Sequence, residues 1–126
     1  MRLSRLYTDE RGTSAIEFAV TSPAYFLLLF GIIEAGLLLW TQLGLQHGAE
    51  QAARCATINS AVCGNVNATQ TYAAQQSFGI NPPPSTFNVT TPACGNQVSA
   101  NYTFSFFTQY FGLPTMTLKA QACFPK

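Results

Sequence analysis

The chain has 126 residues, 48% hydrophobic and only 9% charged, with a net charge of +1. That length holds one small domain beside any membrane segment, and the near-neutral balance lacks the basic footprint of a nucleic-acid binder. The charges are unevenly placed: from Cys55 to Leu118 there is no Asp, Glu, Lys or Arg, so this half has little charge-based protection against self-association and suits a domain packed among neighbours.

In chain order, a short polar tail with Arg2, Arg5 and Arg11 leads into an apolar stretch from Phe18 to Leu45 whose one charge is Glu34. A spanning helix needs about 20 predominantly apolar residues, so this stretch reads as a transmembrane segment, about 18–41, with Trp40 placed as an interfacial ring and Thr41 and Gln42 at the exit. It exceeds the roughly 7–15 residues of a secretory signal's apolar region, and no clear A-x-A site follows it, which argues against an ordinary cleaved signal. The basic bias of the N-terminal tail predicts a cytoplasmic N-terminus and an extracytoplasmic remainder.

The helical pattern extends from about Ser14 to Ala61, roughly 70 Å at 1.5 Å per residue. Pro23 removes one backbone hydrogen bond and is expected to kink or loosen the helix locally. Gly44, Gly48, Ala52 and Ala56 recur every four residues as a stripe of small side chains that admits a close neighbour. Packing against the chain's own outer domain is the favoured reading of that stripe, ahead of an external helix. Glu50 and Arg54 are spaced for an i, i+4 ion pair worth a few tenths of a kcal/mol.

Beyond the long helix, Thr69 to Phe78 reads as a short helix ended by Gly79 and the run Pro82, Pro83 and Pro84. Three segments then alternate apolar and polar residues: TFNVT, QVSANYTFSFF and TMTLKAQACF. Val98, Ala100, Tyr102, Phe104 and Phe106 share one face, as do Met116, Leu118, Ala120 and Ala122, the period-two signature of half-buried strands. The expected fold is α+β: a long N-terminal helix and a small head made of a short helix and about three antiparallel strands. The expected division is a leader at 1–12, the long helix at 13–62 and an extracytoplasmic head at 63–126.

Cys55, Cys63, Cys94 and Cys123 all fall on the expected outer side, an even number suited to an oxidising compartment. Three pairings are possible; the favoured one joins Cys55 to Cys63 and Cys94 to Cys123. Zinc is the weaker reading, because no C-x-x-C occurs and the single histidine, His47, lies on the helix side.

No Ser/His/Asp set, phosphate loop, dinucleotide fingerprint or paired carboxylates outside the membrane helix can be assembled; the only aspartate is Asp9, in the tail. His47 reads as a polar helix residue near the membrane surface. Asn-x-Thr sequons at Asn67, Asn88 and Asn101 are expected by chance in an Asn/Thr-rich chain. The expectation is a structural or interaction protein, not an enzyme, with no cofactor and no metal.

The informative motif is RGTSAIEF. A carboxylate at the mouth of a membrane-length segment is costly and marks a functional residue with a partner. A cut between Gly12 and Thr13 would make Glu17 the fifth residue and create a positive amine four residues before it. A short charged leader, a glycine, then Glu-Phe and an apolar helix is the type IV prepilin pattern. Farther along, Glu17, Phe18, Pro23, Gly31, Ile32, Glu34, Gly36, Ala52, Ala53 and Arg54 stand where they do in the TadE-like family of tight-adherence pilus systems, which the chain resembles over about residues 11–56.

That resemblance implies processing by an aspartic prepilin peptidase at Gly12 and Thr13 in the bacterial inner membrane. It also implies a minor pilin or pseudopilin that meets other pilins and the assembly platform, for adhesion and biofilm formation. Glu17 and Phe18, with Glu34, Gly44 and Gly48, are the candidate assembly and helix-packing residues. Glu34, 17 residues past Glu17 and about 260° around the helix, lies on another face, either contacting a neighbouring membrane helix or tolerated through a hydrogen bond. The alternatives are an uncut single-span anchor whose head binds a partner outside, or a long-headed main filament subunit.

Overall fold

The computed structural model describes residues 12–107, 109, 112 and 114–126. Residues 1–11, with Arg2, Arg5 and Arg11, lie outside the described residues, as does all of the expected leader except Gly12. The chain divides into two compact units, Met1–Ala35 and Gly36–Lys126. Helix α1, Thr13–Ile58, contributes to both.

Within Met1–Ala35 the described residues are helix, and the apolar side chains are almost all exposed, from Ile16 and Phe18 through Leu27, Phe30 and Ile33. The helix runs through Pro23 without interruption. Its ring cannot donate to the carbonyl four residues back, while the Thr21 hydroxyl donates to the Glu17 carbonyl at 2.8 Å.

Gly36–Lys126 forms the α+β head. After α1 come α2 (Ser60–Cys63), α3 (Val66–Gln75), a 3-10 turn (Pro84–Thr86) and strands β1 (Phe87–Thr90), β2 (Asn96–Phe104) and β3 (Met116–Phe124). The sheet is antiparallel in the order β1-β2-β3, with Val89 opposite Val98 and Ala100 opposite Ala120.

Three helix boundaries differ from the sequence expectation. The long helix stops at Ile58, short of Ala61 and of the expected limit at 62, because Asn59 leaves helical geometry (φ −128°, ψ 78°) and its side chain accepts from the Val62 amide to cap α2. The next helix begins at Val66, three residues before Thr69, because the Asn65 side chain accepts from the Ala68 amide at 2.8 Å. It ends at Gln75, and the chain turns through Phe78 (φ 50°) and Gly79 (φ 77°). On β2 the shared apolar face runs from Val98 to Phe104; Phe106 lies beyond the strand.

The core joins Leu45, Ala49, Ala52 and Ala53 of α1 with Ala73 and Ala74 of α3 and Phe87, Val98, Ala100, Leu118 and Ala120 of the sheet. Alanine dominates it, so layers approach closely but each contact removes little apolar area from water. Covalent ties therefore weigh more in a domain of this size. Two are present, Cys55–Cys63 and Cys94–Cys123, the favoured pairs of the sequence reading, and among the described residues no cysteine is free.

Glutamine amides protect the sheet edges. Gln42 Nε2 donates to the Lys119 carbonyl at 2.8 Å and Gln46 Nε2 to the Gln121 carbonyl at 3.2 Å on β3, while Gln70 Nε2 donates to the Phe87 carbonyl at 2.7 Å on β1. Occupied edge carbonyls are poor templates for another strand.

Candidate functional site

The candidate assembly residues of the first unit stand on α1. Gly12 is exposed. Thr13 begins α1, and Glu17 lies one turn later, both exposed. Residues four apart on a helix are neighbours on one face, so Thr13 and Glu17 share a face of α1. Phe18 is 69% exposed. Glu34 is half-buried.

An 18-residue window of α1 has a mean hydropathy of 1.9 and is 6% buried, so by length and composition α1 is able to cross a membrane. In water such a surface is unfavourable at about 25 cal/mol per Å² of apolar area; lipid or other apolar helices remove that cost. In hydrocarbon the backbone of a helix satisfies its own polar groups, so the carboxyl groups of Glu17 and Glu34 are the ionisable side chains on this apolar part of α1.

Gly44 and Gly48 belong to the second unit, and both face α3 and the turn after it. A Cβ on Gly48 would meet Ser77 Oγ at 2.5 Å and the Ala73 carbonyl at 2.6 Å; one on Gly44 would meet Ile80 Cδ1 at 2.5 Å and the Ser77 carbonyl at 3.0 Å. Ser77, fully buried, donates from Oγ to the Ala73 carbonyl at 2.8 Å. The stripe of small residues thus seats α1 against its own head. The Glu50 carboxylate accepts from Gln46 Nε2 at 2.8 Å instead of pairing with Arg54, because the glutamine amide already lies beside it after reaching the strand.

His47 stacks on Phe78, with ring centroids 4.6 Å apart and planes at 17°, and Trp40 meets the same ring at 5.6 Å. Phe78 was not legible as a site residue: only its place beside Gly79 marked a turn. Among the described residues no group of three or more His, Cys, Asp or Glu side chains gathers as a metal site. An open groove between α1 and β3, lined by Glu50, Arg54, Ala122 and Phe124, gathers no nucleophile with a base.

Comparison with known proteins gives one family. Residues 12–54 match the sequence model of the TadE-like proteins. No match was found among curated proteins or among solved structures. The matched stretch carries Gly12, Thr13, Glu17, Phe18, Glu34, Gly44 and Gly48 and stops one residue before Cys55. The TadE-like family takes part in tight-adherence pili and is structural, not enzymatic.

Proposed function

We propose that this chain, TadE-like over residues 12–54, is a minor pilin or pseudopilin of a tight-adherence pilus, cleaved between Gly12 and Thr13 and assembled through α1. The observation that carries the reading is the coincidence of the family match with a helix whose apolar side chains stand unburied from Ile16 to Leu29. In this reading residues 18–41 cross the bacterial inner membrane with the N-terminus cytoplasmic, and the disulfide-tied head lies outside. Its partners are a prepilin peptidase, other pilins and the assembly platform; adhesion and biofilm formation are the outcome.

Cleavage supplies the chemistry that Glu17 lacks. The new ammonium of Thr13 and the Glu17 carboxylate form a matched pair, either within one subunit or between a subunit and its neighbour. A lone charge in hydrocarbon is costly and a paired one much less so. Axial register that aligns amine and carboxylate is therefore favoured over neighbouring registers.

Substitution at the two positions separates processing from assembly. Gly12→Leu is expected to block leader removal. Glu17→Ala is expected to insert and to be largely processed, yet to be depleted at least tenfold from sheared pili or from the isolated assembly complex. Wild-type incorporation of Glu17→Ala beside normal partners would remove the pairing role and leave Glu17 as a determinant of processing or membrane extraction.

A further inference from the structure

The hydrogen bonds between α1 and β3 fix the direction of the head's loops along the helix. Gln42 reaches the Lys119 carbonyl and Gln46 the Gln121 carbonyl, so four residues up α1 correspond to two residues up β3. At 1.5 Å per helical residue and about 3.3 Å per strand residue these steps are equal, about 6 Å each. The two elements therefore run in the same direction, side by side. Asn96, opposite Phe124, donates to Thr57 Oγ1 at the far end of the same alignment.

Met116 precedes Lys119 by three residues, about 10 Å along the strand, which sets it level with about residue 36 of α1. Phe104 is its register partner on β2, so the chain between β2 and β3 starts and ends at that level. The turn after α3 points the same way: Ala73 lies against Gly48, Ile80 against Gly44, and Phe78 bridges His47 and Trp40. The strand ends at Phe104 and Met116 and the turn at Phe78, far apart in sequence, thus lie toward the Gly36–Trp40 end of the head.

Exposed apolar side chains stand at these places. Phe107 is 69% exposed, Met116 48% and Phe78 45%, beside Trp40 at 55%. Phe78 holds its exposed ring at a left-handed backbone position, φ 50°, sparsely populated by side-chain-bearing residues. Phe104 and Phe106 meet edge to face at 5.1 Å. No charge occurs anywhere in either loop.

We propose that this end of the head is a second membrane contact: Phe78 on one side of α1, and Phe107 with Met116 on the other, insert into the headgroup boundary of the same bilayer leaflet that Trp40 meets. The inference rests on the membrane-spanning reading of α1. Its occupant is lipid because the loops reach the depth of the apolar stretch itself, and aromatic rings are favoured where one side is hydrocarbon and the other wet. With no Lys or Arg in the loops, the contact is insensitive to salt and to anionic lipid.

The test uses the full chain reconstituted in phosphatidylcholine vesicles with brominated acyl chains. Trp40 is the only tryptophan, so the wild type reports the exit of α1. In a Trp40→Phe background, Phe107→Trp and Met116→Trp report the loop, and Ala93→Trp reports the opposite end. Bromolipid is expected to quench positions 107 and 116 by at least half as much as it quenches Trp40, equally at low and high salt, and to leave position 93 unquenched. Quenching at 107 and 116 no greater than at 93, with Trp40 quenched, overturns the proposal while leaving the spanning helix intact. An unquenched Trp40 removes the spanning reading and this inference with it.

Discussion

Leu27 and Leu45 occupy the same helix, yet Leu27 is 77% exposed and Leu45 is fully buried. The residues around them explain the contrast. Leu27 stands among bulky apolar neighbours in Met1–Ala35, a unit in which the described helix has no second layer of its own. Leu45 stands between Gly44 and Gly48, whose missing side chains let α3 approach, and with Ala49, Ala52 and Ala53 it closes a core with the sheet. Hydrophobicity alone does not bury a helix; the small-residue stripe decides which part folds against its own chain and which is left for lipid or other subunits.

The contrast breaks most sharply at Phe87, 1% exposed in the head core. Phe87→Ala is expected to cost the head about 3–5 kcal/mol, read by denaturant unfolding in detergent, whereas Phe26→Ala, in the exposed segment, should leave that transition unmoved. Removing Cys94 and Cys123 together opens a loop with a sequence separation of 29 and should cost about 3–4 kcal/mol; the pair Cys55 and Cys63, with a separation of 8, should cost about 2–3 kcal/mol. A reversal of that order would mean that the α1–α2 junction, not the sheet, limits the head's stability.

Smaller effects sharpen the boundary between the two regions. Gly48→Ala drives a methyl into Ser77 Oγ and the Ala73 carbonyl and is expected to cost about 1–3 kcal/mol. Gly31→Ala meets open space, so its effect on the isolated chain should be a gain of about 0.5–1 kcal/mol in helix propensity. Helical content and thermal melting distinguish the two. Asn65→Ala removes the cap of α3 at about 1 kcal/mol, and the loss should be confined to amide exchange in Val66–Gln75.

What the sequence made legible follows from how each signal is encoded. The apolar run, the period-two strands and the favoured cysteine pairs were readable because each depends on local pattern or on few alternatives. The helix break at Asn59 was not, since an asparagine inside a helical pattern is compatible with an interior position until its side chain is seen to accept the Val62 amide. The early start of α3 did carry a signal, Asn65, but the reading began the helix at Thr69 instead. Partners of Gln42, Gln46 and Gln70 are strand carbonyls distant in sequence, or 17 residues away for Gln70, and no periodicity encodes them. The same holds for Glu50, whose spacing to Arg54 suggested an ion pair while the folded neighbourhood supplied an amide. At the candidate site, Glu17 stood out because a carboxylate at the edge of an apolar stretch is expensive. Phe78 did not, because an exposed phenylalanine in a turn gains meaning only when the fold sets it beside Trp40 and His47.

In the proposed function α1 begins, in the working protein, at a new amine on Thr13 and acts as an assembly helix. The decisive experiment is the N-terminal sequence of the chain isolated from membranes of cells with an active prepilin peptidase. The expected sequence starts Thr-Ser-Ala-Ile-Glu-Phe and is lost when the peptidase is inactivated. A chain that retains residues 1–12 in those cells would overturn the proposed processing and make the protein an uncut, single-span anchor.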